Sequence, residues 1–168
     1  MQTITSAATS INAGRVPAVF KKVKTWRPGA VNVDLGGGRY DTAAEYLMHE
    51  YGAHNMVIDP YNRTPEHNNS VTWLLSMRGG ADSCTISNVL NVIRELEARR
   101  DVLRTARELV RSGTPIYITV YEGDGSGTGR QTGADSWQEN RKLRSYLEEV
   151  REIFPGAQVR GGMIIATA

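Results

Sequence analysis

The sequence predicts an α/β protein whose sheet is mostly parallel and covered by helices on both faces. Three observations support this class: short apolar segments alternate with longer amphipathic ones, the first apolar segment runs into three consecutive glycines, and the chain ends in two short segments joined by Gly161-Gly162. The last pattern predicts a C-terminal antiparallel β-hairpin. A length of 168 residues suits a single domain over residues 1–168.

Each element follows from its local pattern. Residues 1–12, rich in Ser, Thr and Ala, are expected to form a poorly ordered or ligand-dependent arm. Strands are expected at about residues 31–35, 54–59, 83–89 and 115–121, followed by the closing hairpin. Helices are expected at about residues 14–26, 41–48, 66–78, 90–112 and 134–153. The third of these is expected to be capped by Asn68, Asn69 or Ser70.

Composition excludes several classes of protein. The apolar fraction of 40% and charged fraction of 23% are normal for a globular protein. Cys84 is the single cysteine, so no disulfide framework exists, and its apolar surroundings predict a buried thiol. The three histidines lack metal-ligand spacing, and we expect no metal. No apolar segment is long enough to cross a bilayer and no signal peptide is evident, so we expect a cytoplasmic protein without a membrane partner.

Basic residues form two clusters despite a net charge of only +2. One lies between Arg15 and Arg27, and the other is a run of arginines from Arg94 to Arg111 on a predicted helix. Solvated helix faces are the simpler interpretation of both, and a polyanion-binding face is the alternative.

The glycine segment indicates where a ligand binds. Residues 31–35 form a buried strand, and Gly36, Gly37 and Gly38 then allow a sharp turn and a close approach to a ligand. A strand, a glycine turn and a helix together present backbone N–H groups to a nucleotide-like ligand. Asp59 ends the next strand, where a carboxylate accepts hydrogen bonds from ribose hydroxyls. The alternative role for Asp59 is to cap the turn before Pro60.

The Asp34-Leu-Gly-Gly-Gly segment, with Asp59 after the following strand, resembles the nucleoside-binding signature of class I S-adenosylmethionine-dependent methyltransferases. Residues 81–93 resemble the fourth-strand segment of many small methyltransferases, in which the strand ends in a polar residue followed by Val-Leu. The nearest likeness is to methyltransferases associated with DNA phosphorothioation, over about residues 30–125. The resemblance implies a Rossmann-like methyltransferase fold and S-adenosyl-L-methionine as cofactor.

It also implies a set of site residues. A carboxylate beside the glycines suits the cationic end of the methyl donor, which is the role expected of Asp34. The expected cofactor-binding residues are Asp34, Gly36, Gly37, Gly38, Arg39, Asp59, Pro60, Tyr61, Asp82, Ser87, Asn88 and Val89. The expected catalytic residues are Glu122 and Asp124 as candidate bases, with Asn88 and Tyr121 facing the substrate.

The sequence departs from the family at several points. The family's third strand has no clear counterpart, because residues 66–78 predict a helix. Asp82 is then a candidate adenine contact, or merely the start of the next strand. The glycine-rich loop of residues 122–129 suits a lid, or is simply solvated. Trp137, Gln138, Asn140 and Arg141 are candidates to bind an acceptor, or begin the last helix.

Three functions follow from these patterns. The first is methyl transfer from S-adenosylmethionine to an acceptor, for which the arginine-bearing helix favours nucleic acid. The second is a methyltransferase-like module that binds the cofactor without transfer, as a sensor, subunit or decoy. The third is a different enzyme on the same pocket, such as one that cleaves S-adenosylmethionine. A homo-oligomer through a sheet edge or a helix pair is compatible with all three.

Overall fold

The computed structural model describes residues 2–9 and 14–168. The helices are α1 (Ala18–Lys22), α2 (Thr42–Tyr51), α3 (Pro65–Arg78), α4 (Leu96–Leu109) and α5 (Leu147–Ile153). The strands are β1 (Val31–Leu35), β2 (His54–Ile58), β3 (Ser83–Ser87), β4 (Pro115–Thr119), β5 (Arg130–Gly133), β6 (Ser136–Gln138), β7 (Gln158–Arg160) and β8 (Met163–Thr167). Short 3₁₀ helices lie at Ala7–Thr9, Leu90–Val92 and Leu143–Tyr146.

Six strands form the central sheet, in the order β2-β1-β3-β4-β8-β7. Strands β1 to β4 are parallel, whereas β8 runs antiparallel to both β4 and β7. The α/β class, the mostly parallel sheet and the closing hairpin are therefore confirmed. Because β2 and β3 lie on opposite sides of β1, the strand order reverses next to β1, and ligands bind at such a point in open α/β sheets.

Apolar side chains cover the sheet on both faces. On one face, α3, α4 and α5 pack over alternate strand residues that include Val33, Ile86 and Ile118. On the other, α1 and α2 pack over a smaller cluster that includes Phe20, Trp26 and Tyr117. Burial on both faces is what allows a parallel sheet to form from β-branched segments with little alternation.

The helix predicted at residues 14–26 is shorter than expected. It ends at Lys22, and Val23 already has an extended backbone. The indole N–H of Trp26 donates to the carbonyl of Phe20 at 2.9 Å, and the two rings stack. The Trp26 side chain thus provides a hydrogen-bond donor for a carbonyl at the end of the helix. Val23 and Trp26 still reach the core, although the helix ends before them.

Strand β2 is an edge strand, and α3 follows it directly, as the helical pattern of residues 66–78 predicts. The cap differs from the prediction: Thr64 accepts from the N–H of His67, and Pro65 is the first helical residue. The outer edge of β2 is covered by side chains from this helix. The imidazole of His67 bonds the carbonyl of Val57, and the amide of Asn68 bonds both the N–H and the carbonyl of Asp59.

Two longer helical predictions are wrong in part. The helix expected at residues 90–112 begins only at Leu96, because Ile93 is extended and Arg99 binds the carbonyls of Ile93 and Arg94. The helix expected at 134–153 is confined to the 3₁₀ turn from Leu143 and to α5, and its first part is the β5–β6 hairpin.

The arginines of α4 bind other parts of the protein. Arg99 is buried and donates through two nitrogens to Glu149, with Nε–Oε2 at 2.7 Å. The other arginines of the helix pair with Glu97, Asp101 and Glu152 or donate to the carbonyl of Ile153. Beyond its two ends, Arg111 pairs with Asp82 and Arg94 lies over the ring of Trp137. The amphipathic pattern of this helix therefore serves packing against α5 and the neighbouring loops, and its positive charge is largely compensated.

We expect Glu149→Ala to lower the free energy of unfolding by about 3–5 kcal/mol, because it leaves the Arg99 guanidinium buried without its carboxylate. Urea unfolding measures this. Glu148→Ala is the matched control on the same helix, since the Glu148 side chain is 82% exposed and its ion-pair partner among the described residues is Arg151. It should cost no more than about 1 kcal/mol. Equal losses in the two variants would contradict the structural role assigned to Arg99.

Candidate functional site

A cavity of about 1160 Å³ opens at the carboxyl ends of the parallel strands. Its floor is formed by the segments that follow β1, β2 and β3, which are residues 36–38, 59–62 and 87–89. Tyr121, Gly123 and Asp124 extend it beyond β4. The topology therefore brings the residues after the four parallel strands, which are far apart in the chain, to one place.

The glycine turn forms the inner wall of this cavity. Gly36 has a φ of +69°, and its N–H donates to the carbonyl of Ile58 at 2.8 Å. A Cβ on Gly36 would lie 2.5 Å from a methyl carbon of Val89. A Cβ on Gly37 would lie 2.4 Å from Oδ2 of Asp34. Larger residues at either position would displace the β3 loop or the buried carboxylate, so the close approach requires glycine.

Asp59 joins the glycine turn to the loop after β2. Its Oδ2 accepts from the N–H of Gly38 at 2.9 Å, and its Oδ1 accepts from the N–H groups of Tyr61 and Asn62 at 3.0 and 2.9 Å. The residue is buried but lines the cavity. The turn-capping interaction considered for Asp59 is thus present. The side-chain amide of Asn62 also lies 3.3 Å from both oxygens, and a ligand hydroxyl would replace this long, shared contact at Oδ2.

Asp34 lies beneath the turn and outside the cavity lining. Its Oδ1 accepts from the Thr85 hydroxyl at 2.7 Å, and Thr85 in turn accepts from the amide of Asn32. Burial raises the pKa of Asp34 from 3.8 to about 7, although the Thr85 hydrogen bond acts in the opposite direction. The structure therefore places this carboxyl where it supports the glycine turn from below.

The loop after β3 carries three predicted site residues. Ser87, Asn88 and Val89 all line the cavity. Asn88 has a φ of +58°, a conformation that Asn tolerates better than most residues, and its N–H donates to the carbonyl of Thr119. This backbone conformation turns the chain across the end of β4 and holds Val89 against Gly36.

The four remaining predicted cofactor residues lie in different places. Pro60 and Tyr61 line the cavity, and the Tyr61 hydroxyl donates to the side chain of Gln2. Arg39 lies beyond the turn and donates to Asn62 at 3.2 Å. Asp82 precedes β3 at the opposite end of the sheet, where it binds Arg78, Arg111 and the N–H of Val31. That placement removes Asp82 from the site, because a residue before a parallel strand cannot reach the ligand edge.

The four predicted catalytic residues divide in the same way. Asn88, Tyr121 and Asp124 line the cavity. Glu122 is turned away: it accepts from the N–H of Leu143 at 2.8 Å and pairs with Lys142, and these contacts hold its pKa below the usual value. Asp124 accepts from the N–H of Ser126, and hydrogen bonding to Ser126 lowers its pKa. Of the two candidate bases, Asp124 is the one that the geometry brings to the cavity.

Solved methyltransferases share the fold. The 1,6-didemethyltoxoflavin-N1-methyltransferase of Burkholderia thailandensis, with 1,6-didemethyltoxoflavin and S-adenosylhomocysteine bound, matches with a TM-score of 0.59 and 20% identity, over 84% of this chain and 71% of that one. PigF with SAH matches with a TM-score of 0.56 and 14% identity, over 90% and 54%. The phospholethanolamine N-methyltransferase 2 of Haemonchus contortus matches with a TM-score of 0.54 and 13% identity, over 86% and 39%.

The fold is that of Rossmann-like methyltransferases. No family model and no curated protein sequence matches the chain. The chain spans about half or less of the length of PigF and of the Haemonchus enzyme. The likeness to methyltransferases of DNA phosphorothioation finds no support in these comparisons, and neither does nucleic acid as the acceptor.

Two segments of the site have a structure that the sequence did not predict. Residues 2–9 of the expected arm lie across the cavity and are held by hydrogen bonds, while residues 1 and 10–12 are outside the described residues. The β5–β6 hairpin contributes Arg130, Thr132, Trp137 and Gln138 to the wall, and Asn140 follows it. Trp137, Gln138 and Asn140 had been candidate acceptor contacts, whereas Arg141 pairs with Glu149 outside the cavity.

Within residues 2–9 and 14–168, no group of three or more His, Cys, Asp or Glu side chains is arranged to hold a metal ion. None of the helices described above combines the length and apolarity needed to cross a membrane. Cys84 is buried, and burial raises its pKa well above the usual value, so its thiol is not poised for nucleophilic attack.

The buried carboxyl predicts a pH-dependent difference in stability. Because the pKa of Asp34 is raised in the folded state, folding favours its protonated form, and stability is lost as pH rises from about 4 to about 7. Asp34→Asn, an uncharged isostere, should escape this loss. In urea unfolding, the free energy of unfolding of Asp34→Asn relative to that of the wild type should rise by at most about 4 kcal/mol over this interval. Above it, the difference should stay constant. The exposed control Glu108→Gln should follow the wild type, and a constant Asp34→Asn difference across this range would refute the assignment.

Proposed function

We propose that this chain binds S-adenosylmethionine and transfers its methyl group to an acceptor. The observation that carries the proposal is the cradle formed by Gly36–Gly38 and Asp59 at the reversal point of a methyltransferase-type sheet. The residues present fit this cofactor, because the turn excludes any Cβ and Asp59 offers an acceptor to a ribose hydroxyl. The solved relatives with bound S-adenosylhomocysteine add support.

Bound S-adenosylmethionine would supply an electrophilic methyl group, and transfer breaks its carbon–sulfur bond while a lone pair of an acceptor nitrogen or oxygen forms the new bond. The chain has to align the acceptor and to receive the proton that the acceptor loses. Asp124 lines the cavity, and its lowered pKa keeps it ionised at neutral pH. We assign it the role of orienting the acceptor through a hydrogen bond and taking that proton. Asn88 and Tyr121, which also line the cavity, position the acceptor beside it.

A binding module without transfer is the second candidate. The observation that favours it is the orientation of Glu122, which bonds Leu143 and Lys142 and leaves Asp124 as the acidic side chain after β4 that lines the cavity. Cofactor binding is common to both functions, so transfer has to be measured separately.

Isothermal titration calorimetry tests the cofactor. S-adenosylmethionine should bind and NAD should not, because the Asp34 carboxyl beneath the glycine turn disfavours the negative charge of a pyrophosphate there. Asp59→Ala should weaken binding by about 1–3 kcal/mol, while Asp41→Ala, whose carboxylate pairs with Arg63 outside the cavity, should leave it unchanged. Failure of the wild type to bind at about millimolar concentration would overturn the proposal. Unchanged affinity in folded Asp59→Ala would refute the role of that residue.

Substitution of the assigned base separates the two functions. Asp124→Asn should lower kcat by about 10²-fold or more while the dissociation constant of S-adenosylmethionine stays within about twofold, since the lost group acts on the acceptor. Glu122→Gln is the control, and its kcat should change far less. The measurement is incorporation of labelled methyl from S-adenosylmethionine into an acceptor. Equal effects of the two substitutions would contradict the assignment, and binding without incorporation into any acceptor would favour the module.

A further inference from the structure

A roof covers the cavity, formed by residues 2–9 and by the β5–β6 hairpin, residues 130–138. The two parts are bonded to each other although they are about 130 residues apart in the chain. The N–H of Thr5 donates to Asp135 at 2.7 Å, and the Thr5 hydroxyl binds the same carboxylate. The N–H of Trp137 donates to the Ser6 hydroxyl at 3.1 Å. Ser6 is buried by these contacts.

The roof is also attached to the opposite rim of the cavity. The Ser6 hydroxyl donates to the carbonyl of Val92 at 3.0 Å, and Thr3 binds the carboxylate of Glu95 through its N–H and its hydroxyl. On the β2 side, Tyr61 donates to Gln2. Residues 2–9 therefore run from the loop after β2 to the hairpin as a strap, and several of them face the cavity.

The hairpin is also bonded to the segments that follow β3 and β4. The side-chain amide of Asn91 donates to Gln138 at 3.2 Å, and the carbonyl of Asn91 accepts from Glu139 at 2.7 Å. Gln138 in turn donates to the carbonyl of Tyr121. A polymer chain lying under the roof along the carboxyl edge would have to pass between the strap, the hairpin and the rim, which these bonds join. A molecule small enough to lie under the roof leaves them in place.

The charge of the lining points in the same direction. Among the described residues that face the cavity, the carboxylates are Asp59, Asp124 and Asp101, of which Asp101 pairs with Arg104, and the guanidinium is that of Arg130. An excess of carboxylates repels a phosphate backbone and tolerates neutral or cationic molecules. The arginines from Arg94 to Arg111, which suggested nucleic acid, are bound to carboxylates, a carbonyl and an aromatic ring of the protein itself.

The volume leaves room for a second small molecule. Pockets for one drug-sized ligand occupy about 300–1,000 Å³. The cavity exceeds that range, and its part beneath the hairpin lies beyond the glycine turn and the Asp59 loop. We infer that the acceptor is a small, uncharged or cationic molecule with a nucleophilic nitrogen or oxygen, enclosed beneath the roof beside the methyl donor. This inference rests on the proposed function, because it names the acceptor of that reaction.

A competition between acceptor classes tests it. The full chain is incubated with methyl-labelled S-adenosylmethionine, a cell extract filtered below about 1 kDa, and a nucleic-acid and protein fraction of the same cells, and the label is then separated by size. Label in the small-molecule fraction supports the inference. Label in the polymer fraction overturns it, and so does an absence of label in both fractions when calorimetry shows bound S-adenosylmethionine. Absence of that binding overturns the proposed function instead.

A roof variant tests the structural part of the argument. Asp135→Ala removes both contacts with Thr5 and leaves the cavity lining intact, because Asp135 is outside it. The KM for the small acceptor should rise roughly tenfold, as expected for the loss of one or two hydrogen bonds, while kcat stays unchanged. Glu148→Ala, an exposed carboxylate removed on α5, is the matched control and should not change KM. An unchanged KM in Asp135→Ala would show that the roof does not enclose the acceptor.

Discussion

The hydrogen bonds of the Asp59 carboxylate to three backbone N–H groups hold together the part of the molecule on which the site depends. They join the glycine turn after β1 to the loop after β2, whose strands lie side by side in the sheet. Charge-assisted bonds of this kind are stronger than neutral ones, and burial strengthens them further. These bonds fix the shape of the turn through groups of the chain itself, so a ligand that binds there need not order it. Asp34 supports the same turn from the buried side.

The outer edge of β2, which side chains of α3 cover, fixes the position of Asp59. In the family that the sequence resembles, another strand follows at this edge, and here α3 follows directly. The amide of Asn68 imitates a neighbouring strand by donating to the carbonyl of Asp59 and accepting from its N–H, at 3.0 and 2.9 Å. Asn68 also faces the cavity. The side chain of Asn68 therefore satisfies the backbone N–H and carbonyl of Asp59, which a neighbouring strand would otherwise bind. The same side chain forms part of the cavity wall.

Local sequence patterns predicted the segments that form the floor of the cavity. The segments that depend on contacts between distant residues could not be predicted in this way. Three consecutive glycines after a buried strand, and an acidic residue after the next, identify a ligand edge because turn chemistry depends on neighbouring residues. The β5–β6 hairpin has no such signature. It is held by Thr5, Ser6 and Asn91, which are 40 or more residues away in the chain, and residues 134–138 alone resemble the start of a helix. The arginines of α4 predicted a helix correctly, but their spacing could not show that Glu149 on α5 faces Arg99.

Backbone groups line one end of the cavity, and side chains line the other. The end proposed for the donor uses backbone groups and glycines at the sheet edge, where a Cβ on Gly36 or Gly37 would collide with Val89 or Asp34. The end proposed for the acceptor uses side chains from the strap, the hairpin and the loop after β4, which are joined by individual hydrogen bonds. Substitutions at the acceptor end alter single contacts and leave the sheet edge intact. Selectivity for the acceptor can therefore change without loss of the donor pocket, and for this reason the fold points to the donor more clearly than to the acceptor.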